Sequence, residues 1–176
     1  MSMNGEYLRV TGAELRLALE DPDWAYEFAN SWREAIDFAD DAGAEWDGRD
    51  PAEARQRFLT THKAWEVIAF LLRRASFPID VVMGEHTLGD DSDWGYGPAR
   101  YLTAQEVAQA AAGLAALPFS ALADGVALAD LAAASVYPMI WDEPEALQWV
   151  QHWYEPLPTF LAAAAHAGDS VLVWLD

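Results

Sequence analysis

The sequence contains no cysteine. Disulfides, thiolate metal sites, a Cys nucleophile and Cys-ligated clusters are therefore excluded. The absence fits a reducing compartment, and the expected location is the cytoplasm. Basic charge is also scarce: ten Lys and Arg stand against 29 Asp and Glu, a net charge of −19. Lys63 is the sole lysine, and Arg73-Arg74 is the only adjacent cationic pair. Nucleic acid needs clustered Lys and Arg to neutralise phosphates, so no nucleic-acid partner is expected. An anionic membrane surface would repel the chain for the same reason. Long hydrophobic runs are missing too. The Ala-rich stretch 108–117 is interrupted by Gln109 and Gly113 and falls short of the roughly 18 apolar residues of a membrane span. The opening MSMNGEYLRV has neither a basic n-region nor an apolar h-region, so no signal peptide is expected.

What is present points to a packed globular protein. Hydrophobic residues make up 53% of the 176 positions, with nine Trp, seven Phe and six Tyr, far more aromatics than a disordered chain carries. The length suits one domain, which buries roughly 70% of the surface its unfolded chain exposes.

Along the chain, residues 6–10 (EYLRV) read as a short strand. Thr11-Gly-Ala-Glu14 then has the spacing of a capping box, opening a helix to about Glu20. Asp21-Pro22 ends that helix and restarts another, in which Trp24, Phe28, Trp32, Ile36 and Ala39 form one face and Glu27, Glu34, Asp37 and Asp40 point mainly away. Gly43 is its expected stop. Asp50-Pro51 caps a short helix. Thr61 is expected to cap a stronger helix over 62–74, with Trp65, Ile68, Ala69 and Leu72 on its stripe. Residues 77–101 are rich in glycine and read as irregular, with 81–83 a brief strand. Thr103-Ala-Gln-Glu106 is the clearest capping box and opens a helix to about Leu117. Short helices follow on either side of Gly125. A longer one starts at Asp142-Glu143-Pro144, is kinked or split at Pro156 and Pro158, and ends at Gly168. Residues 170–175 (SVLVWL) read as a terminal strand with apolar side chains on both faces, which implies a position inside the sheet. The expected architecture is a single α+β domain, mostly helical, with a small sheet that includes the N-terminal and C-terminal strands.

Several segments together carry a resemblance. They are Met3-Asn-Gly5-Glu-Tyr7, His62-Lys-Ala-Trp65 with Phe70-Leu-Leu72, Leu88-Gly-Asp-Asp91 leading into Gly95-Tyr-Gly-Pro-Ala-Arg100-Tyr-Leu-Thr103, Tyr137-Pro138 with Trp141-Asp142, and Ala167-Gly-Asp-Ser-Val-Leu-Val-Trp-Leu175. In this order, over nearly the whole chain, the sequence resembles the YfbM-like family (domain of unknown function 1877). GYGPARYLT is the most specific piece. The resemblance implies small bacterial α+β proteins and brings no assigned activity.

The candidate chemistry gathers in the loop 84–101. His86, Asp90, Asp91 and Asp93 supply metal-ligand types, but their spacing matches no strong template. Asp91-Ser-Asp93-Trp-Gly95 starts like a calcium loop, yet position 95 lacks an oxygen ligand and the closing glutamate is absent. Asp side chains bonded to nearby backbone N–H groups explain the cluster more simply. No metal and no cofactor are expected. Gly95-Tyr-Gly97-Pro-Ala-Arg100 lacks the third glycine and the following Lys-Ser/Thr of a phosphate loop. Arg100 sits near three aspartates and between Tyr96 and Tyr101. It reads as a structural pin for the loop or, with Asp91, as the lining of a small polar pocket. The candidate ligand residues are thus His86, Asp90, Asp91, Tyr96, Arg100 and Tyr101. No serine has a nucleophile-elbow context. His62, His152 and His166 are isolated on expected helices, and Trp149 and Trp153 read as core or pocket wall. The function expected from these features is a non-enzymatic binding or protein-interaction module whose acidic surface takes a basic protein partner. The alternative is a small, for example hydrolytic, enzyme that uses the loop 84–101 as its site.

Overall fold

The computed structural model describes residues 2–39, 48–89 and 93–176. Its elements follow in the order β1 (Gly5–Val10), α1 (Gly12–Glu20), α2 (Pro22–Ala39), α3 (Pro51–Arg57), β2 (Phe58–His62), α4 (Trp65–Arg74), β3 (His86–Thr87), β4 (Arg100–Leu102), α5 (Ala104–Ala115), α6 (Phe119–Leu122), α7 (Leu128–Ala133), α8 (Ala146–Tyr154), α9 (Pro156–Ala167) and β5 (Ser170–Leu175). Gly43 lies outside the described residues.

The five strands form one antiparallel sheet in the order β2-β1-β5-β4-β3. The terminal strand β5 is its middle member, paired with β1 from Gly5↔Leu175 to Val10↔Ser170 and with β4 on the other side. Beyond the ladder, Asn4 and Asp176 exchange backbone hydrogen bonds of 2.7 and 3.0 Å. The apolar residues on both faces of β5 are explained by helices on both faces of the sheet. Val171 and Val173 face one core with Tyr7, Ile68, Leu114 and Leu157. Leu172 and Trp174 face the other with Leu8, Phe28, Trp32 and Leu88. The result is a single mostly helical α+β domain in three layers. Each large side chain fully removed from water contributes about 1.5–3 kcal/mol.

The local signals at the helix ends act as their chemistry requires. Thr11 and Thr103 both form complete capping boxes, with Glu14 and Glu106 returning to the cap N–H. Gly168 ends α9 in the left-handed region at φ 73°. Pro156 occupies the first turn of α9 and divides it from α8.

Two expectations fail on one segment. Residues 58–62 are strand β2, and Thr61, rather than capping a helix, is fully buried and donates its hydroxyl to the Gly5 carbonyl at 3.2 Å. The helix begins only at Trp65, and Ala64 at its N-cap supplies no side-chain bond. Phe58-Leu-Thr-Thr is aromatic and β-branched, and pairing with β1 wins over the capping signal. The approach is close enough that a Cβ on Gly5 would lie 2.5 Å from Thr61 Oγ1. Residues 81–83 form a turn instead of a strand, because the Asp80 carboxylate accepts from the Val82 and Met83 N–H groups. Conversely, the stretch read as irregular contains the short ladder β3–β4.

Candidate functional site

Among the described residues singled out in the loop 84–101, Tyr96 and Arg100 line one small crevice, and His86 lies apart from it. His86 pairs in register with Tyr101, and Thr87 with Arg100. Successive strand residues face opposite ways, so His86 and Arg100 diverge. The Arg100 guanidinium is committed to the hairpin. Nε donates to the Gly84 carbonyl at 3.0 Å, Nη1 to Thr87 Oγ1 at 2.9 Å and Nη2 to the Glu85 carbonyl at 3.2 Å. Gly84 permits this because it sits at φ +76°, and a Cβ there would lie 2.9 Å from Arg100 Cβ. The His86 ring packs 5.0 Å from Tyr101 and shares a 2.8 Å hydrogen bond between Nε2 and Glu106 Oε1. Burial pushes the Glu106 carboxyl upward, but hydrogen bonds from the Thr103 backbone and hydroxyl and from His86 outweigh it and leave the carboxyl below its usual range.

Tyr96 is exposed and donates its N–H to the Leu175 carbonyl at 3.3 Å. The crevice beside Tyr96 and Arg100 holds only about 20 Å³, about room for one water. Asp93 Oδ1 accepts from the Gly95 and Gly97 N–H groups at 3.0 and 3.3 Å, which is turn chemistry. Asp90 and Asp91 lie outside the described residues. Among the described residues no three His, Cys, Asp or Glu are grouped so as to hold a metal ion.

A larger concavity, about 540 Å³, lies where α1 turns into α2 and the segment after residue 92 packs against them. Asp21, Asp23, Glu27 and Asp93 contribute carboxylates to it, Trp24, Tyr26 and Trp94 form its walls, and among the described residues no basic one lines it. Its construction follows from the local sequence. Asp21 Oδ1 accepts from the Trp24 N–H at 3.0 Å and Pro22 opens α2. The first two turns of α2 therefore project Asp23 and Glu27, four residues apart, from one helix face. Trp24 stacks on Phe28 at 4.6 Å. Trp94, only 4% exposed, meets Tyr26 edge-on at 5.5 Å and Trp174 at 5.3 Å. The periodicity of α2 sets Glu27 on its outer face and does not join it to residue 93. The joining signal is the aromatic pairing across the cleft, which periodicity within one helix does not carry.

A buried carboxyl and a half-buried imidazole stand apart from this cleft. Glu6, 5% exposed on β1, accepts from Thr60 Oγ1 at 3.2 Å, while its Oε2 has no partner among the described residues. Burial pushes its carboxyl up to about 8, against the pull of Thr60 and Arg33 and with a small push from Asp37. His62, at the end of β2 rather than on a helix, stacks on Trp153 at 4.8 Å with Trp149 edge-on at 6.5 Å. Burial, then the charge of Lys63, lowers its pKa.

No curated protein matches the chain. Among solved structures, it is similar to the crystal structure of YfbM from Escherichia coli, a protein of unknown function. The two are 19% identical, the match covers 100% of both chains, and the TM-score is 0.64; at that identity the likeness speaks for the fold. The family model for a domain of unknown function, DUF1877, matches residues 1–174. With practically its whole length matched, the chain belongs to the DUF1877 family.

Proposed function

We propose that this protein is a non-enzymatic binding module whose acidic cleft receives a basic segment of a partner protein, in a bacterial cytoplasm. The observation that carries this reading is the convergence of four carboxylates and three aromatic walls in one concavity that, among the described residues, no cation lines. A Lys or Arg side chain entering there gains charge pairing with the carboxylates and the attraction of an aromatic face, worth about 0.5–2 kcal/mol per aromatic contact. Asp23 and Glu27 repel each other in the free protein, and an incoming cation relieves that repulsion. The net charge of −19 steers such a partner inward and raises its association rate. The small-enzyme alternative gains no support from the geometry, since Arg100 is bonded to its own hairpin and His86 to Glu106.

The test is calorimetric titration with a decalysine peptide at low and high salt. Asp23→Asn with Glu27→Gln is expected to weaken binding about tenfold, as losing two close charge pairs should. Asp124→Asn with Glu145→Gln makes the same change in net charge at exposed positions away from the cleft and should have little effect. Equal weakening by the two double variants would show that only diffuse charge is at work and would sink the reading.

A further inference from the structure

A smaller cleft, about 200 Å³, lies between the last turns of α4 and the turns that follow it. Leu72, Phe77 and Val82 give it an apolar floor. Its two sides differ in sign: α4 brings Arg73, and the turns bring Asp80 and Glu85. We propose that this cleft binds a free α-amino acid with a small apolar side chain, its carboxylate on Arg73, its ammonium at Asp80 and Glu85, and its side chain on the floor.

The argument rests on charged groups that are held in place and incompletely bonded. Asp80 Oδ1 accepts from the Val82 and Met83 N–H groups at 3.2 and 2.9 Å, and Glu85 Oε1 accepts from the Asp80 N–H at 2.7 Å. The Glu85 backbone is pinned in turn to the β3–β4 hairpin: its N–H donates to the Tyr101 carbonyl at 3.2 Å, and its carbonyl accepts from Arg100 Nη2 at 3.2 Å. Each carboxylate thus uses one oxygen to hold a turn, and among the described residues its second oxygen has no partner. Arg73 is exposed, and among the described residues its guanidinium forms no ion pair. A simple fatty acid would meet the repulsion of the two carboxylates, and a simple amine would leave Arg73 unmatched. An amino-acid zwitterion answers both signs, its carboxylate accepting two parallel N–H bonds from the guanidinium edge. It also adds no net charge to a chain already at −19. The volume lies below the roughly 300–1,000 Å³ of pockets that take drug-sized ligands, which suits a molecule this small. Leu72 and Val82 are almost wholly buried, so the floor is a firm part of the core, shaped before any ligand arrives.

The probes are L-leucine, L-leucinamide, N-acetyl-L-leucine and glycine, each titrated calorimetrically into the full chain. Leucine should saturate one site. Leucinamide lacks the carboxylate, N-acetyl-leucine lacks the ammonium and glycine lacks the side chain. Each should bind at least about tenfold more weakly, as the loss of one charge-assisted bond or one buried alkyl group implies. Arg73→Gln should weaken leucine about tenfold without weakening leucinamide. Glu85→Gln keeps the acceptor for the Asp80 N–H, and should weaken leucine and leucinamide alike without weakening N-acetyl-leucine. Both positions are exposed, so neither substitution should move the thermal midpoint appreciably. Leucinamide or N-acetyl-leucine binding as tightly as leucine would overturn the proposal, as would no saturable binding of leucine, valine or methionine at millimolar concentration. Saturating leucine should leave decalysine binding unchanged, so this proposal and that of the acidic cleft fail separately.

Discussion

Replacing Glu6 by Gln should make the protein more stable, and by an amount that grows with pH. The carboxyl is 5% exposed and takes up its proton at about 8 in the fold, against 4.5 for the free side chain. Desolvation by the sheet and α2 is the main cause, and the Thr60 hydroxyl and Arg33 offset only part of it. A carboxyl with a raised folded pKa contributes fully below its unfolded value, and that contribution is lost as pH rises through the folded one. Above about pH 5 the unfolded chain has released the proton and the folded chain has not. Stability therefore falls by about 1.4 kcal/mol per pH unit from this group alone. By pH 7 the loss is about 3 kcal/mol, and it levels off above pH 8. Gln keeps the acceptor for Thr60 and has nothing to ionise. The difference between Glu6→Gln and the parent should thus widen by about 3 kcal/mol between pH 4 and pH 7, or roughly 6–12 °C in thermal midpoint for a chain of this size. Urea unfolding of both proteins across this range is the assay. Any fixed cost of burying the amide shifts the whole curve and leaves its slope alone. A difference that stays constant with pH would refute the reasoning, because it would mean that the Glu6 carboxyl titrates as if solvated.

Arg100→Ala removes three hydrogen bonds from the β3–β4 hairpin and should destabilise the protein by about 2 kcal/mol; an unchanged thermal midpoint would return Arg100 to the role of a pocket residue. Gly84→Ala forces φ +76° on an alanine and sets its Cβ against Arg100, so about 2 kcal/mol should be lost on chemical denaturation, and the effects of the two substitutions should not add. At Glu14, burial pushes the carboxyl up, but bonds from Arg57 and Thr11 prevail and hold it below its usual range. Its contribution is present above the unfolded pKa and lost as pH falls through the folded one, so Glu14→Gln should flatten the acid limb of the stability curve and leave the alkaline limb unchanged.

Much of the architecture was legible because it is written in local or two-faced patterns. Thr11–Glu14 and Thr103–Glu106 are short-range caps whose chemistry needs no tertiary context. The unbroken apolar run of β5 announced a strand buried on both faces, inside the sheet, before any partner strand was known. Phe58-Leu-Thr-Thr failed for the converse reason. Its strand identity depends on β1, more than fifty residues earlier, and the adjacent helix pattern absorbed it. The short strands β3 and β4 span only two and three residues, too few for a period to show. At the site, the nearness of His86 to Arg100 in sequence suggested a shared pocket, and the alternation of strand faces separates them. The acidic cleft stayed hidden because Asp93-Trp94 and the segment Asp23 to Glu27 meet in space, with Tyr26 against Trp94, and lie far apart in sequence.

The central place of β5 makes the sheet divisible. β1 with β2 and β4 with β3 are two separate ribbons, and within the sheet only β5 joins them. Neither ribbon is wide enough to persist by itself in water. A protein cut just after the Gly168 turn would retain both halves of a sheet with an empty slot between them, apolar above and below. The excised octapeptide DSVLVWLD, which carries β5, would be the plank that fits it, so the fold lends itself to reconstitution from two pieces.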